Sequence, residues 1–147
     1  MTPKKTVRLP AALRPAGGNN LVRVGSHFDG GYVFAAGLLS RCQKLLSFGL
    51  GYNWDFERDM LANSNVSKID CYDHTVNEAA FRREYVRSVL KYFLNTPKRR
   101  DRIRAYRDYR PFFVDNASVK HFEMKIGASN GPASSTLIAA LKRLGDE

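Results

Sequence analysis

Strands alternating with helices predict an α/β fold, with the strands running mostly parallel in a doubly wound sheet. Three stretches carry this expectation. Residues 44–59, KLLSFGLGYNWDFERD, read as a buried strand, a tight glycine turn and a helix start. Residues 66–72, VSKIDCY, form a second strand, followed by a long helical pattern from Thr75 to about Asn95. Residues 119–126, VKHFEMKI, form a third strand, and a last helix follows it after a glycine- and serine-rich loop. Successive parallel strands need such crossovers.

In chain order, residues 1–20 carry Pro3, Pro10, Pro15 and the cluster GGNN and read as a loose lead-in to a domain over 21–147. Residues 21–24 and 32–34 are short strands around Phe28-Asp29-Gly30-Gly31, whose glycines suit a hairpin turn. After the strand 44–48, Asn53 is the expected N-cap of a helix to Ala62, with Asp55 and Glu57 in its favourable first turn and Trp54, Met60 and Leu61 facing inward. Thr75 and Glu78 have capping-box spacing. In the long helix, Phe81, Tyr85 and Val89 form one apolar row and Val86, Leu90 and Leu94 a second, which together predict a buried stripe. Ile103, Tyr106 and Tyr109 punctuate a shorter, basic helix. Ser134, Ser135 and Thr136 are placed to cap the final helix, with Leu137, Leu141 and Leu144 along one side and Gly145 as its end.

The chain has 147 residues, 44 % hydrophobic and 26 % charged, which suits one globular domain with a real core. Cys42 and Cys71 make no disulfide framework and read as free thiols of a reducing, cytoplasmic compartment. No apolar run reaches the roughly 20 residues of a membrane span. The net charge is +10, and the segment 82–110 holds eleven Lys and Arg against Glu84, Asp101 and Asp108. The excess is therefore local. Basic residues interleaved with Tyr106 and Tyr109 over 99–110 offer an alternative function as a nucleic-acid-binding module. A solvated helical face with inward aromatics is the preferred reading of that segment.

Ligands of a doubly wound sheet lie beyond the carboxyl ends of its strands. Gly49 and Gly51 stand at one such end and Asp73 at the next, 24 positions after Gly49. That spacing is close to the roughly 20 residues between a glycine turn and a ribose-binding acid. The third glycine of a dinucleotide fingerprint is missing, so a single nucleoside fits better than a pyrophosphate. The helix after the turn is expected to offer unpaired N–H groups and a positive dipole end.

The segments RVGSHFDGGYVF, LLSFGLGYNWDFERDM and IDCYDHTV, in that order and spacing, resemble FkbM-like class I methyltransferases. The resemblance runs from about Arg23 to the end, and its most specific pieces are DGGYV and the Gly-x-Gly turn with its W-x-F-E continuation. It implies S-adenosylmethionine as cofactor and methylation of a hydroxyl on a sugar or other small-molecule acceptor. By the same resemblance Phe48, Gly49 and Gly51 line the methionine end of the cofactor, Asp73 holds the ribose and His74 lies near the adenine. Asp29 and Gly30 lie close by. Such proteins continue into a strand with an Asp-Ile-Glu-Gly-like motif, so this chain is expected to represent only the N-terminal half of a Rossmann-like sheet.

His27, His74 and His121 and the two cysteines lack the spacing of a metal site. His74 and His121 are both of the type that takes a proton from a hydroxyl, and the spacing selects neither.

Overall fold

The computed structural model describes residues 10, 20–27, 30–90 and 97–145. Nearly all of the expected lead-in, and Phe28 and Asp29 of the expected turn, lie outside the described residues. Strands β1 (Leu21–Gly25) and β2 (Gly31–Ala35) pair antiparallel as the predicted hairpin, with Gly25 opposite Gly31. A single-turn helix α1 (Ala36–Leu39), not predicted from the sequence, leads to β3 (Lys44–Phe48).

Then follow α2 (Asp55–Asn63), β4 (Lys68–Tyr72), α3 (Glu78–Leu90), α4 (Pro97–Tyr109), a π-helical turn (Arg110–Val114) and β5 (Val119–Phe122). The three strands β3, β4 and β5 form one parallel sheet in that order, which leaves β4 central and β3 at one edge. The expected third strand is shorter than 119–126. After Phe122 the chain breaks and re-forms as β6 (Lys125–Ile126), paired with β7 (Ser134–Ser135), before α5 (Leu137–Gly145).

Side chains alternate across a strand, so Lys44 and Ser47 point to opposite faces. Ser47 meets Glu57 of α2, while Lys44 Nζ donates to the Leu144 carbonyl oxygen of α5 at 2.8 Å. Lys68 Nζ reaches the same carbonyl at 3.3 Å. Two lysines thus neutralise the negative end of α5 and fix it to one face of the sheet. Helix α2 covers the other face. The larger core lies on that side, where Trp54 packs against Phe113 at 5.1 Å between ring centroids and Phe81 at 5.9 Å. Its indole lies 3 % exposed among them. The π-helical turn that delivers Phe112 and Phe113 has a local cause. Pro111 cannot donate to the α-helical ladder, and the bond that closes the wider turn runs from Asp115 N–H to the Arg110 carbonyl at 2.9 Å.

Four sequence expectations are corrected. The α3 stripe is not buried as a whole: Phe81 is in the core, but Val86, Val89 and Leu90 are exposed. The buried row instead runs through Phe81 and Ser88, because α3 packs on α4 by a narrow strip. In α5, Leu144 and Ala140 are buried while Leu137 and Leu141 are exposed. At the start of α3 the side-chain cap comes from Asn77, whose Oδ1 accepts the Ala80 N–H at 2.7 Å, and not from Thr75. The cap at Thr136 is as expected, its Oγ1 accepting from Ala139 N–H at 3.2 Å, whereas α2 has Trp54 at its N-cap and Asn53, one residue earlier, accepts from Asp55 N–H at 3.0 Å.

Candidate functional site

Glycine is required at 49 and 51 by backbone conformation, with φ at +78° and +56°. Crowding is not the reason, since a Cβ at either position would meet no atom within 4 Å. The turn therefore faces open space. Behind it, the end of β4 holds it in place. Gly49 N–H donates to the Tyr72 carbonyl at 3.1 Å, and Gly51 N–H to Asp73 Oδ2 at 3.1 Å. The Leu50 N–H also donates to the Asp73 carboxylate.

The N–H groups of the 49–51 turn are satisfied within the protein, so they do not form an anion cradle. The arrangement favours a ligand that brings no phosphate to this turn.

Asp73 is buried at 7 % exposure, and its other oxygen, Oδ1, accepts from Thr75 N–H at 2.8 Å and Thr75 Oγ1 at 2.6 Å. Burial alone would raise its pKa. The four donors from Thr75, Gly51 and Leu50 outweigh burial, and the carboxyl titrates below its ordinary value. Asp73 is also reached from β5. His121 Nε2 lies 3.1 Å from the Asp73 carbonyl oxygen, and His121 Nδ1 lies 2.8 Å from Tyr109 Oη. A carbonyl only accepts, so Nε2 carries the proton and Nδ1 accepts from the tyrosine. Burial pushes the phenol up to about 12, with Glu123 and Glu78 adding to it, so its proton stays in that bond.

On the open side of the turn lies a cavity of about 480 Å³, within the range of small-molecule sites. Phe48, Gly49 and Gly51 line it together with Gly30 from the hairpin. Sequence reading placed these four near one another, and the fold brings them to one cavity. Gly30 has φ +79°, and a Cβ there would stand 2.7 Å from Asn53 Nδ2, so the hairpin approaches α2 as closely as glycine permits. Asp59 Oδ2, accepting from Gly25 N–H at 2.8 Å, ties the two together.

Asp73 and His74 are not among the cavity's lining residues. Asp73 sits beneath the turn and His74 is exposed beside it. Asp29 lies outside the described residues. Sequence reading missed Glu57, Ser47, Tyr32 and Phe34 as cavity residues. Glu57 stood in a first helical turn, where the dipole explains an acid without any ligand. Only its neighbour in space, Ser47, marks it as buried.

A second cavity of about 500 Å³ flanks the other side of the turn, between Tyr52 and α4. Its charges are paired: Asp55 bridges Arg58 at 3.2 Å and Arg104 at 2.6 Å, and Asp108 also binds Arg58 at 3.2 Å.

Among the described residues no group of three His, Cys, Asp or Glu is gathered to hold a metal ion, and no helix is long and apolar enough to cross a membrane. Comparison with family models, curated proteins and solved structures found no match.

Proposed function

We propose that this chain carries the cofactor half of an S-adenosylmethionine-dependent O-methyltransferase, built on half of a doubly wound, Rossmann-like sheet. One observation carries the reading: two neighbouring parallel strands end side by side, one in the 49–51 glycine turn and the other in Asp73, joined at 3.1 Å beside a cavity of nucleoside size. The parallel order β3-β4-β5, with helices on both faces, is that of one half of such a sheet. The turn's spent donors suit an adenosyl ligand better than a dinucleotide. When bound, S-adenosylmethionine supplies an electrophilic methyl group on its sulfonium.

In this reading Phe48, Gly49 and Gly51 bound the methionine end of the cofactor, and Gly30 closes the site from the hairpin. Asp73 acts by fixing the turn from beneath, outside the cavity itself. His74, exposed at the end of β4, is available to an adenine lying across that strand end. The acceptor is a hydroxyl of a sugar or similar small molecule.

Trp54, the single tryptophan, lies just behind the turn and gives a direct signal. Titration of the chain with S-adenosylhomocysteine, read by Trp54 fluorescence and calorimetry, should saturate. Asp73→Ala should weaken binding at least tenfold, because four turn and loop donors lose their acceptor. Failure of the folded wild-type chain to bind either adenosyl ligand would reject the reading.

A further inference from the structure

Among the described residues lining the 480 Å³ cavity, Glu57 is the only acidic or basic side chain. It is 5 % exposed, on the face of α2 turned to the sheet, where the Ser47 hydroxyl donates to its Oε1. Around it the cavity wall is aromatic: Tyr32, Phe34, Phe48, Tyr52 and Phe56. Phe56 anchors this wall, stacking on Phe34 at 5.7 Å and meeting Tyr32 edge-on at 4.8 Å.

A buried carboxyl is costly to ionise without a counter-charge. Here burial raises the Glu57 pKa, Ser47 and its own backbone N–H oppose that rise, and Asp55 on the same helix adds to it. The titratable group facing it from β4 is the buried Cys71. No basic side chain among the described residues lines the cavity, and the turn's N–H groups are already spent. An anion therefore finds no positive side chain there. A cation finds both a carboxylate and the negative faces of aromatic rings.

We propose that this cavity is a site for an organic cation, a sulfonium or ammonium centre, held against Glu57 and the surrounding aromatic rings. The cavity is the one assigned above to the methyl donor, and the inference rests on that reading for the adenosyl part of the ligand alone.

Two matched pairs of probes test it. The first pair is S-adenosylmethionine against S-adenosylhomocysteine, which lacks the sulfonium charge. The second is choline against its uncharged isostere 3,3-dimethylbutanol, followed by NMR line broadening and shift changes of the cavity residues. The wild type should prefer the cation of each pair by about tenfold or more. Glu57→Gln, which keeps a partner for Ser47, should bring the two members of each pair to near-equal affinity, while Ser47→Ala keeps the preference. Equal affinity within the pairs for the wild type, or a preference unchanged in Glu57→Gln, would overturn the inference. Binding of S-adenosylhomocysteine without any cation preference would overturn it and leave the methyl-donor reading standing. Preference for choline with no binding of either adenosyl ligand would uphold it and remove the methyl-donor reading instead.

Discussion

Glu57 and Asp73 are two buried carboxyls on either side of one glycine turn, and their surroundings push them in opposite directions. Asp73 accepts hydrogen bonds from four donors and is lowered, while Glu57 receives one hydroxyl and is raised by burial. The consequences for stability have opposite signs. For Glu57, both folded and unfolded chains are neutral well below the ordinary value of 4.5. Above it the unfolded chain ionises first, so this contribution to stability is lost as pH rises through the folded pKa. For Asp73 the contribution is present above its ordinary value of 3.8 and is lost as pH falls through the lower folded pKa. Glu57→Gln should therefore flatten the decline of stability with rising pH above 4.5, as read from urea midpoints at a series of pH values. An unchanged slope would mean that Glu57 is solvated in solution. Asp73→Ala is expected to cost about 2–3 kcal/mol at pH 7, the scale of hydrogen bonds to a charged group.

At the scale of elements, the site is held from behind by α4 and β5. Tyr109 donates to His121, and His121 donates to the backbone of Asp73, so a helix, a strand and the turn share one hydrogen-bonded chain. Burial lowers the His121 pKa, and that outweighs the opposing pull of the Asp73 carbonyl, Glu123 and the Asp73 charge. The neutral ring is thus part of the folded state. Its contribution is present above the ordinary value of 6.5 and is lost as pH falls toward the lower folded value, since the unfolded chain takes the proton first. Tyr109→Phe should cost about 1 kcal/mol, or roughly 3 °C in Tm for a chain of this size, by leaving Nδ1 without its donor. His121→Phe should also remove the loss of stability expected of the wild type as pH falls below 6.5. Equal acid profiles for wild type and His121→Phe would break the link.

The strands of this assembly were legible in the residues. The runs at 44–48 and 68–72 are short, apolar and closed by a glycine turn or an acid, and helical patterns separate them. What was not legible came from position in space. The row Val86, Val89 and Leu90 has the spacing of a core face, yet α3 packs mainly on α4 and through Phe81 on Trp54, and the apolar row is wider than that contact. Likewise nothing in the spacing of Tyr109 and His121 announces that they meet, because the π-helical turn between them sets the angle.

For the whole molecule, the question is what +10 charges are for. Many of the arginines are spent on internal clamps. Arg102 pairs with Glu84 at 2.6 Å and so joins α4 to α3, while Arg110 reaches Glu78 at 3.2 Å. Arg58 and Arg104 share Asp55 and Asp108 and join α2 to α4. Each such half-exposed pair contributes only up to about 1 kcal/mol, but it removes an arginine from any patch facing a phosphate backbone. The chain is therefore expected to bind single-stranded nucleic acid weakly. Asp55→Asn with Asp108→Asn should release Arg58 and Arg104 while keeping the shape of both side chains. That variant should bind a single strand more tightly, and the slope of log K against log salt should steepen by up to about 1.4, at roughly 0.7 for each new phosphate contact. The measurement is fluorescence anisotropy of a labelled oligonucleotide between low and moderate salt. Tight, steeply salt-dependent binding by the wild type would show that the clamps open, and that the basic segment serves a partner more than the fold. A double variant no better than wild type would instead show that Arg58 and Arg104 stay turned to the second cavity. Their charge would then belong to the architecture of α2 and α4 alone.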